Sequence, residues 1–504
     1  MTAKNSIAKN TMFLYFRMLV TLFISLFTSR IILNSLGETD YGIYNVVGGF
    51  VTMFNVFCSG LATTTQRFLN FDLGKNDKLE LHRTFSSCAQ IYFFISIIII
   101  ILAETGGVWF LGNKMTIPTE RMYAAKWVFQ LAIITLVFNL ISIPYNALII
   151  AHERMKAFAY ISVYEAVAKL LIAYLIYNTN YDRLILYALL LCCVQLSVRF
   201  IYTNYCKRHF EGCSVDIKID LQKIKELYSF AGWAMFGGLS SIGFTQGLNV
   251  LLNMFFSPAV NAARAVAVQV QNAVNNFAIN FQVALNPQII KSYASGDTEY
   301  MYKLVFASSK YSFLLLYMLS LPLLMEAPQI MVLWLKNVPE YSVIFLRLIM
   351  LTSIIDAMSN PFMRTADATG NIRTYQLVIG VLLLMILPIS YIVLKLGYPP
   401  YSVFIVHITI CITAFIARLF IVQKLIYFSI RKYFKEVILK VIIVGALSPI
   451  IPLFIIKYNE TGFIRLAEVT CLSILITAGM TYFVALSDNE RNFIHAKVRS
   501  IWSK

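Results

Sequence analysis

The chain has 504 residues, of which 59 % are hydrophobic and only 13 % are charged, and its formal net charge is +17 at pH 7. Apolar runs of about twenty residues, the length that crosses about 30 Å of hydrocarbon as a helix, recur from one end to the other. This composition excludes an ordinary soluble domain and predicts an all-α polytopic membrane protein.

Fourteen membrane-spanning helices are predicted. In chain order they cover 11–34, 41–66, 86–111, 122–150, 157–177, 184–204, 229–254, 259–288, 305–325, 341–363, 374–396, 400–423, 437–456 and 463–486. The first apolar run exceeds twenty residues and precedes no small-residue cleavage site, so we interpret it as a retained helix and not as a signal peptide.

Lysine and arginine alternate strongly between successive loops. Lys75, Lys78 and Lys156 belong to the richer set, which includes both termini, whereas Lys114 and Arg121 belong to the poorer one. This bias predicts that both termini are cytoplasmic. The positive charge is then explained by topology and by anionic lipid, so no nucleic-acid partner is implied.

The sequence gives little support for disulfide bonds, metal binding, ATP hydrolysis or a cofactor. The eight cysteines follow no disulfide or metal-ligand spacing, so no metal is expected. No phosphate-binding loop is present, and hydrolysis of ATP is not expected. No cofactor is predicted; a coupling ion, H⁺ or Na⁺, stays open.

An internal repeat organises the chain. Pro144–Lys156 (PYNALIIAHERMK) resembles Pro361–Arg373 (PFMRTADATGNIR) at an offset of 217 residues, and the helix from Tyr41 to Gln66 recurs as Asn261–Asn286. The polar stretch 205–226 separates six spans from six. Because six is even, the two halves point the same way, as in transporters with parallel repeats. The predicted domains are an N-lobe (1–204), a cytoplasmic inter-lobe loop (205–226), a C-lobe (227–427), and helices 13 and 14 with a cytoplasmic tail (428–504).

Polar stripes mark corresponding helices of both halves. Side chains at helical spacing line one face of the first, second, seventh and eighth spans, and amides against hydrocarbon are costly. They predict a hydrated cleft between two lobes, although each amide could instead only bond one helix to another. The candidate substrate-binding amides are Asn45, Asn55, Asn249, Gln269, Asn272, Asn276 and Asn280.

Arginines within the spans are the second signal. Arg264 shares the amide-rich surface of the eighth span and is the first candidate for an anion ligand. Arg17 begins the polar stripe of the first span and is the second candidate, with snorkelling to the interface as the alternative. Arg30 and Arg67, near span ends, are candidate gate residues with the same alternative. No catalytic residue is predicted.

Several oppositely charged residues are close in sequence. Glu165 and Lys169, four residues apart on the fifth span, predict an intrahelical ion pair. Similar structural pairs are expected for Arg347 with Asp356, and for Arg364 with Asp367. Hinges are predicted at prolines inside helices, where a backbone hydrogen bond is lost; they are Pro144, Pro287 and Pro361. The alternative is that these prolines bend their helices without any motion.

The chemistry of the predicted cleft indicates an anionic cargo. A guanidinium can hold two phosphate oxygens at once, and tyrosines and amides suit sugar hydroxyls. The first two helices carry no carboxylate within the membrane, which weakens the alternative of a cation-coupled drug exporter. The short predicted outer loops disfavour a membrane glycosyltransferase, ligase or polymerase.

Three segments resemble lipid-linked oligosaccharide flippases of the Wzx type, in the polysaccharide-export branch of the MATE-like superfamily. They are SRIILNSLGETDYGIYNVV, IPYNALIIAHERMK and NAARAVAVQVQNAVNNFAINFQVALNPQIIKSYASGD. The resemblance implies two six-helix bundles in a V shape, with two extra C-terminal helices, in a bacterial inner membrane. It also implies passage of an undecaprenyl-diphosphate-linked glycan to the outer leaflet by alternating access. By position, Arg17, Arg30 and Arg264 correspond to cavity or gate arginines of that superfamily.

One departure narrows the cargo. Flippases of the peptidoglycan precursor carry a further arginine midway along the first span, where this chain has Phe23 and Ile24. A surface-polysaccharide or O-antigen repeat unit is therefore favoured. We expect a monomer whose partners are the lipid-linked glycan, membrane lipids and polysaccharide assembly proteins, with helices 13 and 14 as a hypothetical groove for the lipid tail.

Overall fold

The structure of the chain is a computed structural model. It describes residues 3–52, 55–113, 117–177, 179, 181–216, 218–256, 258–335, 338–488, 490–492 and 495. These residues form helices and connecting turns, and none of them lies in a β-strand.

The first half of the chain contains seven α-helices before the long polar loop. They are α1 (Ala3–Thr52), α2 (Asn55–Gly74), α3 (Lys78–Leu102), α4 (Val108–Asn113), α5 (Met122–Ala151), α6 (Met155–Tyr177) and α7 (Arg183–His209).

Eleven α-helices follow the loop. They are α8 (Leu221–Phe255), α9 (Pro258–Ala294), α10 (Thr298–Met325), α11 (Ala327–Leu335), α12 (Ser342–Thr369), α13 (Arg373–Lys395), α14 (Ser402–Ile426), α15 (Ile430–Tyr433), α16 (Leu439–Leu447), α17 (Ile450–Tyr458) and α18 (Phe463–Met480). π-Helical turns at Ala103–Gly107, Phe434–Ile438 and Thr481–Ala485 continue α3, α15 and α18.

The fourteen predicted spans all fall on these helices, and the all-α polytopic fold is confirmed. The first span and the beginning of the second lie in α1, which is interrupted at Gly37, where φ is 77° and ψ is 170°; the second span continues in α2. An L-residue rarely adopts this φ, so the glycine permits the break. The thirteenth span, 437–456, is likewise divided between the π-helical turn Phe434–Ile438, α16 and α17.

Eleven helices among the described residues are long and apolar enough to cross a membrane. Helices α8 and α9 are not among them, although they contain 35 and 37 residues and are long enough to span. Their composition explains this, because they carry the amides that the sequence marks as a polar stripe. α9, which contains more of the candidate site residues than any other helix, is therefore one of the helices with low hydropathy.

The contacts divide the chain into two compact units. Unit 1 comprises Met1–Leu239 and Ile290–Asp297, and unit 2 comprises Ser240–Ile289 and Thr298–Lys504. In unit 1, α1 packs along α5 and α6, and α5 also packs against α2, α3 and α7. The predicted lobe bounds, 1–204 and 227–427, stay predictions.

The polar loop is held to α3 within unit 1. Arg83 Nη2 lies 2.6 Å from Asp220 Oδ2, and Lys78 Nζ lies 2.6 Å from Glu211 Oε2. Gln90 Nε2 donates to the carbonyl oxygens of Asp216 and Lys218. The connection between α7 and α8 is shorter than the loop predicted at 205–226, because α7 continues to His209 and α8 begins at Leu221.

In unit 2, α12 packs between α10 and α14, and α13 packs against α14. The C-terminal helices cover α10. Tyr317 Oη donates to the Gly445 carbonyl at 2.7 Å, and Lys310 Nζ donates to the Ala485 carbonyl at 3.0 Å. A buried ion pair joins Glu326 at the end of α10 to Arg465 near the start of α18. These helices are therefore an integral part of unit 2.

The backbone also carries the internal repeat. Asn76 and Gly296, 220 residues apart, both adopt a left-handed φ, of 56° and 80°. Glu153 and Gly370, 217 residues apart, do so as well, with φ of 58° and 78°. Matching turns at these offsets indicate that the two halves are folded from the same plan.

Candidate functional site: Arg264 and the polar faces of α8 and α9

Arg264 lies in the second turn of α9 and is 6 % exposed. Its Nη1 donates to Asn249 Oδ1, and its Nη2 donates to the Thr245 carbonyl at 3.1 Å, both on α8. Its Nε is buried without a hydrogen-bond partner. Two residues predicted as ligands, Arg264 and Asn249, are thus brought together, and both of these acceptors of the guanidinium are neutral.

The predicted amide stripe of α9 is exposed over much of its length. Gln269, Asn272 and Asn276 are exposed, whereas Asn280 is buried and donates to the Asn276 carbonyl at 2.7 Å. Three candidate amides are thus accessible to a ligand, and the fourth bonds within its own helix.

The neighbouring stripe of α9 instead bonds one helix to another. Gln271 Nε2 donates to Ser353 Oγ of α12 at 2.7 Å. Gln282 Nε2 donates to Ser312 Oγ of α10 and to the Ala357 carbonyl of α12, each at 2.9 Å. The two polar faces of α9 therefore differ: one fastens the helix to unit 2, and the other presents amides at the surface.

In unit 1, Arg17 is half-buried and lies over the Phe158 ring of α6, 4.5 Å from its centroid. The hydroxyls that follow it on α1 bond to their own helix; Thr21 Oγ1, for example, donates to the Arg17 carbonyl at 2.8 Å. The side chains of Asn45, Asn55 and Arg30 lie outside the described part of the structure.

Arg67 is 6 % exposed and packs among aromatic rings. Its guanidinium carbon lies 4.4 Å from the Phe68 centroid, 4.6 Å from that of Phe71 and 5.4 Å from that of Phe230. Snorkelling, the alternative considered for this residue, does not describe it, because cation–π contacts hold the charge inside unit 1. Its role as a gate stays a prediction.

The predicted ion pair on α6 is part of a larger polar cluster. Lys169 Nζ lies 2.6 Å from Glu165 Oε1, which also accepts from Gln195 Nε2 of α7 at 2.8 Å. Nearby on α7, Arg199 lies over the Tyr145 ring at 4.3 Å, and its Nη1 is buried without a hydrogen-bond partner. Sequence reasoning missed Arg199, although its place inside an apolar span was a usable signal.

The pairing expected for Asp356 and Arg347 is wrong. Asp356 Oδ1 lies 3.6 Å from Arg418 Nη1 of α14, whereas Arg347 Nε donates to the Leu324 carbonyl. Nine residues along a helix place two side chains two and a half turns apart, beyond the reach of an ion pair. The pair of Arg364 with Asp367 is present at 3.1 Å.

The three candidate hinge prolines all lie inside helices, Pro144 in α5, Pro287 in α9 and Pro361 in α12. Whether they bend during a transport cycle stays a prediction. No group of three or more His, Cys, Asp or Glu side chains capable of holding a metal occurs in the part of the chain that the structure describes.

Solved structures with a similar fold are MATE transporters. A MATE in complex with MaD3S has a TM-score of 0.72 and 14 % identity, over 84 % of this chain and 96 % of that one. An outward-facing multidrug resistance MATE family transporter of the MOP superfamily has a TM-score of 0.70 and 13 % identity, over 84 % and 96 %. The MATE transporter ClbM in complex with Rb⁺ has a TM-score of 0.68 and 14 % identity, over 85 % and 96 %.

At such low identity these likenesses show the fold alone. No curated protein sequence matches the chain significantly. The family comparison is more specific, because the profile of the polysaccharide biosynthesis protein family matches residues 7–294, more than half of the chain. The chain therefore belongs to the polysaccharide biosynthesis protein family and has the fold of the MATE transporters.

Proposed function

We propose that the chain is a flippase that moves an undecaprenyl-diphosphate-linked oligosaccharide repeat unit from the cytoplasmic to the outer leaflet of a bacterial inner membrane. Family membership and the transporter fold support a membrane exporter of polysaccharide building blocks. The cargo and the direction are our inference from the charges and amides of the described residues.

The observation that carries the proposal is the set of groups that contact the Arg264 guanidinium. A buried cation in a membrane helix normally pairs with an acid or with backbone carbonyls, or faces a water-filled cavity. Among the described residues, Arg264 contacts an amide and a backbone carbonyl and no carboxylate. The charge is therefore oriented but not neutralised, which is the state expected of a site that awaits an anion such as a diphosphate.

The exposed amides of α9 support the proposal that the cargo carries a glycan. Gln269, Asn272 and Asn276 lie five, eight and twelve residues after Arg264, on the exposed face of α9, about a third of a turn round the helix from the guanidinium. Sugar hydroxyls both donate and accept hydrogen bonds, as amides do. We infer that the diphosphate binds at Arg264 and that the glycan extends along this face.

Arg199 offers a further contact in unit 1. Its guanidinium carbon lies 4.3 Å from the Tyr145 ring centroid, and its buried Nη1 has no hydrogen-bond partner among the described residues. We assign it with Arg17 to the cationic surface over which the diphosphate passes.

The proposed mechanism involves no covalent chemistry. The headgroup binds at Arg264 and the amides of α9 while the polyprenyl tail stays in the bilayer, and alternating access then exposes it to the outer side. Under an inside-negative potential, outward movement of each negative charge is favoured by about 2.3 kcal/mol per 100 mV. The predicted cytoplasmic termini, the monomeric state and contact with polysaccharide assembly proteins belong to this proposal.

The decisive experiment measures the sidedness of the lipid-linked glycan in cells lacking the protein. A membrane-impermeant glycosidase or lectin is applied to intact spheroplasts. We expect the glycan to be inaccessible without the protein and accessible once it is restored. Equal accessibility in both strains would contradict the proposed cargo.

The alternative is a cation-coupled exporter of small molecules, and the MATE fold is the observation that favours it. This alternative predicts drug sensitivity in the deletion strain with unchanged glycan sidedness. Drug sensitivity and glycan sidedness, measured in the same deletion strain, therefore distinguish the two functions.

A further inference from the structure

The last residue of α2 touches the last turn of α9 within unit 1. A Cβ atom at Gly74 would lie 2.7 Å from the Lys291 carbonyl oxygen and 2.7 Å from the Ala294 Cβ, closer than real side chains approach. The turn after α2 does not require this glycine, because Asn76 supplies the left-handed residue. Gly74 is therefore needed for the close approach of the two helices.

Lys291 connects the same contact to a third segment. Its Nζ lies 2.9 Å from Glu153 Oε1 in the turn between α5 and α6, and the two side chains are only 24 % and 17 % exposed. The end of α2, the α5–α6 turn and the last turn of α9 thus meet at one end of unit 1. This is the end where α1 begins, and it is the predicted cytoplasmic side.

The backbone at Glu153 shows that its side chain matters. Glu153 adopts a left-handed φ of 58°, which is unfavourable for an L-residue with a side chain. At the equivalent position of the second half the residue is Gly370, which adopts such a φ without strain. The ion pair between the Glu153 carboxylate and Lys291 explains why a glutamate occupies a position whose backbone conformation favours glycine.

Each of the two helices shared by the units contains a proline or adjacent glycines close to the residue where it passes from one unit to the other. α9 passes from unit 2 to unit 1 after Ile289, close to Pro287, whose missing N–H removes a helix hydrogen bond. α8 passes between them after Leu239, next to Gly237 and Gly238. A Cβ at Gly238 would meet nothing within 4 Å, so packing does not require that glycine.

We propose that Gly74, Glu153 and Lys291 form a latch that holds the inner ends of α2, α5 and α9 together and releases by bending of α9 near Pro287. The proposal deepens the flippase function and rests on it for its purpose: the latch closes the inner side after the headgroup has entered. Release then requires that the Glu153–Lys291 pair separate and that the α9 end withdraw from Gly74.

The test is hydrogen–deuterium exchange, followed by mass spectrometry, on the full-length protein in lipid nanodiscs. Glu153→Gln and Lys291→Gln should each speed exchange in residues 284–297 about fivefold, and the double exchange Glu153→Lys with Lys291→Glu should restore protection. Lys78→Gln is the matched control, because its partner Glu211 is on the same side and both side chains are more than three-quarters exposed. It should leave 284–297 unchanged.

Glu153→Gly separates loss of the carboxylate from damage to the turn. Glycine suits the left-handed backbone, so residues 149–157 should stay protected while 284–297 exchange faster. Unchanged exchange in 284–297 for both single glutamine variants would overturn the latch. Failure of the proposed cargo would instead appear in the spheroplast assay with wild-type protein, and the exchange result would be unaffected by it.

Discussion

Arg264 of α9 donates to the side-chain oxygen of Asn249 on α8, an amide and not a carboxylate. The pair fixes the direction of the guanidinium without cancelling its charge. It thus separates two properties that mutation can address independently, the position of the cation and its net charge.

Removing the cation should remove transport. For Arg264→Ala we expect the fraction of glycan exposed on spheroplasts to fall about tenfold to a hundredfold, because a charge-assisted contact to phosphate contributes about 1.5–3 kcal/mol. Arg264→Lys should retain part of the activity, since it keeps the charge but not the fork. Arg347→Ala, at a cation bonded to the Leu324 carbonyl, serves as the control. Normal export by Arg264→Ala would disprove the anion-ligand assignment.

Neutralising the cation in place should have opposite effects on stability and on transport. Asn249→Asp puts a carboxylate where the amide oxygen meets the guanidinium, so the folded protein should be at least as stable as the wild type. The new acid competes with the diphosphate, and export should fall at least tenfold. The measurements are thermal unfolding in detergent and glycan sidedness. Unimpaired export by a correctly inserted protein would show that Arg264 is structural.

The buried ion pair between α10 and α18 should be essential for attachment of the C-terminal helices. Arg465 Nε lies 2.8 Å from Glu326 Oε1, and the two side chains are 12 % and 2 % exposed. Glu326→Gln leaves a buried guanidinium without its counter-charge, which costs about 3–5 kcal/mol in comparable pairs. We expect a thermal midpoint several degrees lower. Glu468→Gln, at the exposed partner of Asn459, should change it little.

The same variant is a better test of the proposed lipid groove than deletion of 437–504. Deletion would also uncover Lys310 and Tyr317, which bond to the backbone of that segment, so lost export would have two explanations. If Glu326→Gln lowers stability but leaves export intact at low temperature, the last two predicted spans, 437–456 and 463–486, only brace α10.

Acid should weaken the contacts that Asp182 makes at the start of α7. Partial burial acts to raise the pKa of this carboxylate, but hydrogen bonds from Arg121 and from the backbone N–H of Ile185 outweigh it and lower the pKa below the usual range. Its stabilising contribution is therefore present above about pH 4 and is lost as the pH falls through the lowered value.

Asp182→Asn isolates this contribution, because asparagine caps α7 as well as aspartate does. We expect a loss of about 1 kcal/mol or less at pH 7, given that Asp182 and Arg121 are each about one-third exposed. The difference in thermal midpoint between the variant and the wild type should shrink as the pH falls below about 4 and vanish once Asp182 is protonated in the folded protein. A difference that persists there would point to an uncharged role.

The helices and their order were predictable, because long apolar runs report directly on the membrane. Intrahelical pairs such as Glu165 with Lys169 were predictable too, since a helix fixes the distance between residues four apart. The pair of Asp356 with Arg418 was not, because it depends on the register between α12 and α14, which no local pattern encodes. The same limit explains why the stripe containing Gln271 could not be distinguished from the exposed one beside it.

The left-handed backbone conformation of Glu153 was equally hard to predict from the sequence. Its conformation follows from the turn after α5, but the reason for a glutamate there is a lysine 138 residues later in the chain. Glycine at the equivalent position 370 gave the only hint, and it becomes informative once both backbone angles are known.

The low hydropathy of α8 and α9 bears on how the chain enters the membrane. Neither helix is apolar enough to partition into lipid readily by itself, and they are consecutive. Arg264 can already bond to Asn249 and Thr245 when only these two helices have been made. Insertion as a hairpin would therefore shield the most costly charge before the rest of unit 2 is synthesised, so the contacts that prepare Arg264 for a ligand also assist biogenesis.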